Sequence, residues 1–143
     1  MKKILLLLPT AVLLSLSTQI LAANSGKVYF NDGRGYKDEQ VTKTIELLYT
    51  PVGQSNKLSC YGANLPPHVG SWQTVFGEGS SSCLSPQNPV SSLKFRWSVG
   101  GGTWREVIEP ISDNTHCTYT INLYNDFSKP SNIDAQIAKV SCN

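Results

Sequence analysis

The sequence lacks the short motifs that mark most hydrolases and metalloproteins. It contains no H-E-x-x-H, C-x-x-C, G-x-S-x-G or D-x-D-x-D-G pattern and no glycine-rich phosphate loop. Histidine is scarce as well, with only His68 and His116. A Ser–His–Asp group would have to assemble in space, for example from His116 and Asp113. We therefore expect no cofactor and no metal site, and we interpret the loop around Asp32 as a tight turn rather than a calcium site.

A hydrophobic run long enough to span a bilayer is also missing. The longest apolar run covers residues 4 to about 16, which is short for a membrane span. Lys2 and Lys3 precede this run, and the small residues Ala22 and Ala23 follow it. This three-part layout is typical of a cleaved bacterial secretory signal peptide.

The predicted cleavage changes the charge of the protein. We predict a signal peptide at residues 1–22 and a single domain at residues 23–143, with no stable transmembrane anchor. Without Lys2 and Lys3, the ten remaining basic residues balance the ten acidic ones. A neutral domain has no long-range field that attracts nucleic acid, so we expect no nucleic-acid partner. The expected location is secreted or periplasmic.

All four cysteines lie in the exported part of the chain, at Cys60, Cys83, Cys117 and Cys142. An even number of cysteines in an oxidising compartment indicates two disulfides. Three connectivities are possible. We favour Cys60–Cys83 and Cys117–Cys142 because each closes a short loop, and such a loop stabilises by roughly 3 kcal/mol in the chain-entropy model.

Helix-forming patterns are few, and strand-like runs fill most of the exported chain. These runs are rich in Val, Ile, Thr, Tyr and Trp, and clusters of Gly, Pro, Asn and Asp separate them. The predicted strands are Lys27–Phe30, Val41–Thr50, Lys57–Tyr61, Trp72–Phe76, Leu93–Val99, Thr103–Ile108, Cys117–Tyr124 and Ala135–Cys142. Only residues 134–140 also fit a short helix. The predicted fold class is all-β, a single disulfide-stapled antiparallel β-sandwich or small barrel of about eight strands.

The glycine cluster at residues 100–102 predicts a hairpin with two possible registers. A two-residue turn at Gly101–Gly102 would place Val99 opposite Trp104. It would also place Phe95 opposite Ile108, so that both arms bury large side chains on one face. We favour this register because it buries more apolar area, at roughly 25 cal/mol per Å².

A three-residue loop is the alternative register. It would pair Arg96 with Glu106 and send Trp104 to the solvent face. In either case we interpret the charged side of this hairpin, with Lys94, Arg96 and Arg105, as a solvated sheet face rather than a recognition patch.

The segment Cys60–Gln73 is the predicted ligand-binding region. Proline pre-orders a loop and so reduces the entropy lost on binding, while Tyr and Trp can stack on a ligand. The candidate residues are Tyr61, Pro66, Pro67, His68 and Trp72. The alternative interpretation is that Trp72 belongs to the core and the prolines only shape a turn.

The leading functional hypothesis is an exported, non-enzymatic binding module. Its target would be a glycan, a lipid surface or a protein outside the cytoplasm, and it could act as a secreted effector. The first alternative is an inhibitor of a secreted hydrolase that presents the proline loop or the loop Gly77–Ser92. The further alternatives are a membrane-active toxin that uses surface aromatics and a small hydrolase built around His68 or His116.

Overall fold

The computed structural model describes residues 25–35, 40–66, 68–76, 90–111 and 116–142. The predicted signal peptide lies outside these residues. Eight β-strands form the described structure: β1 Ser25–Asp32, β2 Val41–Tyr49, β3 Leu58–Leu65, β4 Ser71–Phe76, β5 Val90–Val99, β6 Arg105–Pro110, β7 His116–Asn125 and β8 Ile133–Cys142. All eight predicted strands are thus present, and residues 134–140 belong to β8 rather than to a helix.

The strands form two four-stranded sheets that pack as a sandwich. Sheet A has the order β4-β1-β7-β8, and sheet B has the order β3-β2-β5-β6. The predicted all-β sandwich is confirmed. One pair departs from the antiparallel expectation, because β1 runs parallel to β7 while the other neighbours are antiparallel.

The core lies between the two sheets and follows from the period-two pattern of the strands. In β1 and β7 every second side chain is buried, because successive side chains of a strand point to opposite faces. Aromatic rings join the two sheets at the centre. The ring centroids of Phe30 and Phe95 are 5.6 Å apart, and those of Phe95 and Trp97 are 5.7 Å apart. Each fully buried side chain of this size contributes roughly 1.5–3 kcal/mol to folding.

The disulfide Cys117–Cys142 joins β7 to the end of β8, as predicted. The two cysteines are direct cross-strand partners. The last four residues of β8 are exposed, so the core does not hold this end of the strand. Cys60 is also disulfide-bonded, and its predicted partner Cys83 lies outside the described residues.

The β5–β6 hairpin has the three-residue loop, and the register that we favoured is wrong. Arg96 pairs with Glu106. Gly100 and Gly101 adopt left-handed φ values of 57° and 76°, which suit glycine. The amide of Gly102 then donates to the carbonyl of Val99 at 2.9 Å and closes the loop.

This register moves the β6 side chains to the opposite faces from those expected. Trp104 is 42% exposed, and the guanidinium of Arg96 lies 4.9 Å from its ring centroid. This cation–π contact offsets part of the free-energy cost of the apolar area that the register leaves in water. Arg105 lies opposite the buried Trp97, so its placement on the charged side with Lys94 and Arg96 is also wrong.

We expect replacement of Cys117 and Cys142 together by Ala to lower the free energy of unfolding by about 3 kcal/mol, since the bond closes a loop with a sequence separation of 25. Urea unfolding at neutral pH measures the change. A double variant as stable as the wild-type protein would show that packing alone holds the exposed end of β8.

We expect Gly101→Ala to lower the free energy of unfolding by about 1 kcal/mol, because an L-residue is strained at a φ of 76°. Gly35→Ala is the matched control, since a side chain there meets no atom within 4 Å and the backbone is not left-handed. Equal losses in the two variants would contradict the role given to the loop.

Candidate functional site

The outer face of sheet A is almost free of charge at its centre. Its middle row crosses all four strands in the order Gln73, Tyr29, Thr120 and Ala138. The next row consists of Ser71, Asn31, Asn122 and Gln136. Tyr29 therefore stands in the middle of a surface made of amide and hydroxyl groups, with 37% of its area exposed.

A shallow depression of about 430 Å³ lies on this face between β1 and β4. Its lining residues are Lys27, Tyr29, Gln73, Thr74 and Val75. Lys27 contributes the single charge. The depression thus offers one aromatic ring, one amide and two hydroxyl groups, those of Tyr29 and Thr74, beside this cation.

The sequence reasoning missed Tyr29 as a candidate. The alternation in β1 indicates that Lys27, Tyr29 and Asn31 share the solvent face. The pattern of a single strand does not reveal its neighbours, however, and it is Gln73 from β4 and Thr120 from β7 that complete this surface.

The outer face of sheet B is charged, and its charges pair with one another. The Lys94 Nζ lies 2.6 Å from a Glu46 carboxylate oxygen, and the Arg96 Nε lies 3.9 Å from a Glu106 oxygen. A groove of about 330 Å³ runs beside these residues over Gly62. Because each cation faces a carboxylate of the same sheet, little charge is left for a ligand.

Of the five residues that the sequence predicts as a ligand site, the structure describes Tyr61, Pro66, His68 and Trp72. Tyr61 on β3 and Trp72 on β4 are partly buried and pack against the core. Pro66 and His68 lie in the exposed β3–β4 connection, where the amide of Val69 donates to the Pro66 carbonyl at 3.1 Å.

Pro67 lies outside the described residues. The role of the connection in binding stays a prediction, with Pro66 and His68 as its accessible groups.

Ser25 and His116 make the contact that comes nearest to catalytic chemistry. The Ser25 Oγ and the His116 Nδ1 are 2.7 Å apart, at the first rung of the β1–β7 ladder. Asp113, the predicted third member, lies outside the described residues. Neither residue lines the depression beside Tyr29 or the groove over Gly62. The contact therefore serves in the described structure as a side-chain bond between two parallel strands.

A buried ion pair lies at the end of β1, in the segment where the sequence predicts a tight turn. The Asp32 carboxylate accepts hydrogen bonds from the Arg34 Nε at 2.8 Å and from its second guanidinium nitrogen at 2.7 Å. Both side chains are almost fully buried. Lys43 is buried nearby, with its Nζ 5.5 Å from the ring centroid of Phe30.

Arg34 and Lys43 lower the pKa of Asp32. Burial alone would raise the pKa of the carboxyl group. The hydrogen bonds from Arg34 and the positive charges of Arg34 and Lys43 outweigh burial and hold the pKa below its ordinary value of 3.8. Asp32 is therefore ionised at neutral pH, and its oxygens are engaged by Arg34.

No helix in the described ranges has the length and hydropathy that a bilayer crossing needs. Within the same part of the chain, no three His, Cys, Asp or Glu side chains group together as metal ligands. No known family model matches this chain, and no curated protein matches it.

We expect Asp32→Asn to lower the free energy of unfolding at pH 7 by about 3 kcal/mol, because it removes the carboxylate charge that forms a buried ion pair with Arg34. The folded-state pKa is depressed, so this stabilisation is present above pH 3.8 and is lost as the pH falls through the folded-state value. The difference between wild type and variant should therefore shrink in acid.

Urea unfolding from pH 7 down to pH 2 measures that difference. Asp126→Asn is the control, since the pKa of Asp126 is also lowered, by hydrogen bonds from the Ser128 side chain and backbone, but in an exposed position. Its effect should be smaller. A deficit of Asp32→Asn that stays constant over the pH range would contradict the buried ion pair as its cause.

Proposed function

We propose that this protein is an exported, non-enzymatic binding module that recognises a glycan through the outer face of sheet A. The observation that carries the proposal is the position of Tyr29, a ring with 37% of its area exposed that lies between the Gln73 amide and the Thr120 hydroxyl of the two neighbouring strands.

The chemistry of this face matches the chemistry of a sugar. A sugar ring presents a C–H face that packs on an aromatic ring and a rim of hydroxyl groups that need hydrogen-bond partners. Gln73 and Thr120, the direct cross-strand neighbours of Tyr29, can supply such partners. Neutral groups also cost less to remove from water than charged ones, so a neutral ligand fits this face better than an ionic one.

The rigidity of the surface supports the same role. Tyr29 lies on β1, which is bonded to a strand on either side. Its backbone is therefore ordered before a ligand arrives, and less entropy is lost on binding than with a free loop.

Export is the second part of the proposal. The leader at residues 1–22 and the disulfide Cys117–Cys142 support a secreted or periplasmic location, because disulfides persist in oxidising compartments. The hydrolase-inhibitor alternative depends partly on the loop Gly77–Ser92, and most of that loop lies outside the described residues.

We expect Tyr29→Ala to weaken glycan binding about tenfold, since stacking on an aromatic ring contributes roughly 0.5–1.5 kcal/mol beyond area burial. A glycan array of the purified protein identifies the strongest oligosaccharide, and calorimetry with that oligosaccharide measures both affinities. Because only 37% of Tyr29 is exposed, the variant should lose some stability, and its urea unfolding curve shows whether it is folded under the binding conditions.

Two control variants show which part of the surface binds the glycan. Trp104→Ala removes an aromatic ring of similar exposure from the connection between β5 and β6 and should leave binding unchanged. His68→Ala probes the exposed β3–β4 connection. A loss confined to His68→Ala would move the site to that connection, and failure to bind any glycan on the array would overturn the proposal.

A further inference from the structure

The strand β4 is an edge of sheet A, since β1 lies on one side of it and no described strand lies on the other. One hydrogen bond fixes which of its backbone groups face β1. The amide of Asp32 donates to the carbonyl of Gly70 at 2.9 Å, one rung beyond the pair of Asn31 with Ser71. Hydrogen-bonded and non-hydrogen-bonded pairs alternate along an antiparallel ladder, so the assignment of the remaining rungs follows.

This alternation leaves a row of backbone groups on the free side of β4. The N–H and C=O groups of Trp72 and Thr74 point toward β1. Those of Ser71, Gln73 and Val75 point away from it. Among the described residues, the hydrogen bond that reaches this row is a long one, from the Thr74 hydroxyl to the Val75 carbonyl at 3.4 Å. The free side of β4 therefore offers three N–H and three C=O groups to a further strand.

The edge strand β6 of sheet B has a residue that opposes such pairing. The amide of Ile111 donates to the carbonyl of Ser91 at 2.9 Å, one rung beyond the pair of Ser92 with Pro110. By the same alternation Pro110 occupies a position that faces outward, where it has no N–H to donate. β6 also carries three charged side chains, those of Arg105, Glu106 and Glu109.

The edge strands β3 and β8 are interrupted, whereas β4 is not. β3 has a register shift against Leu47 and Leu48, and β8 has one against Thr118 and Tyr119. The register of β4 against β1 is unbroken, and Ser71–Phe76 includes no charged residue and no proline. Charges, prolines and bulges are the features by which proteins keep edge strands from pairing. Of the four edge strands in the described structure, β4 is the one that lacks all three.

We propose that two copies of this protein associate through β4, with the two strands antiparallel and related by a two-fold axis at Gln73. Gln73 then lies opposite Gln73 of the second copy, and Ser71 lies opposite Val75 of the second copy. Each of these rungs exchanges two hydrogen bonds, so every outward N–H and C=O group of the three residues is paired. Sheet A of one copy continues into sheet A of the other.

A second copy of β4 fits this edge because the strand is uncharged. Two-fold symmetry brings identical side chains together at the axis, where like charges would repel. The residue at the axis is instead Gln73, which is exposed and whose amide group can both donate and accept a hydrogen bond. Val75, with 50% of its area exposed, is partly covered by the second copy.

The pairing also joins the outer faces of the two sheets. Tyr29 is the direct partner of Gln73 within each copy, so the two Tyr29 rings lie in one row. Neighbouring strands are about 4.8 Å apart, which places these rings about 14 Å apart on a continuous surface. The association requires no glycan, and it is therefore measured without one.

Sedimentation equilibrium of the purified, oxidised protein measures the association from micromolar to millimolar concentration. We expect a monomer–dimer equilibrium within this range, because one pair of edge strands buries less area than the interface of a permanent dimer. A protein that stays monomeric at millimolar concentration would overturn the proposal.

Hydrogen exchange followed by NMR locates the contact. In the monomer, the amides of Trp72 and Thr74 are bonded to β1 and exchange slowly, while those of Gln73 and Val75 face solvent and exchange fast. We expect the Gln73 and Val75 amides to exchange about tenfold more slowly when most of the protein is dimeric. A dimer in which these two amides stay unprotected would contradict pairing through β4.

Two proline variants test the backbone contact. Gln73→Pro removes the central outward N–H and leaves the bonds between β4 and β1 in place, so we expect the dissociation constant of the dimer to rise at least about tenfold. Ile108→Pro is the matched control, because Ile108 faces outward on β6 by the alternation that places Pro110. It should leave the constant unchanged, and equal losses in the two variants would contradict a contact at β4.

A charge variant tests the same contact without altering the backbone. Gln73→Lys places two like charges opposite each other at the axis, so the dimer should weaken at low salt and recover partly at high salt. Gln136→Lys adds the same charge to an exposed position on β8 and should have no effect. A dimer of Gln73→Lys as tight as that of the wild-type protein would place the axis elsewhere and overturn the proposed register.

Discussion

The length of the loop Gly100–Gly102 determines which face of the sheet each side chain of β6 occupies. The hydrogen bond from Gly102 to Val99 closes a three-residue loop, and the pairing of Arg96 with Glu106 follows from it. A loop shorter by one residue would exchange the two faces of β6. The ion pair between Arg96 and Glu106 on the outer face of sheet B depends on this register.

The outer faces of the two sheets differ in the charged residues that they carry. Sheet B pairs Lys94 with Glu46 on its outer face, whereas the centre of the outer face of sheet A carries Lys27 as its main charge. Charge is also present inside, where Asp32 of β1 lies with Arg34 and close to Lys43 of β2. Burial of these groups is tolerated because opposite charges and direct hydrogen bonds accompany it.

The fold was predictable from the sequence to a greater extent than the candidate sites. Period-two alternation places the eight strands, because one face of each sheet must avoid water. The register of the β5–β6 hairpin was not predictable from buried area alone, since the contact of Arg96 with the Trp104 ring also stabilises the observed register. The surface around Tyr29 depends on which strands are neighbours, and β1 pairs with β7 across five intervening strands. Such long-range pairing leaves no signal within a single strand.

The parallel pair β1–β7 has a consequence for the order in which the chain can fold. Ser25 and His116 are 91 residues apart, so β1 reaches its central place in sheet A only after most of the chain is available. Contacts of this separation slow folding, because a long loop must close before the pairing forms. Until then β1 exposes an unpaired edge with the apolar residues Val28 and Phe30, which is the condition under which chaperones engage a chain.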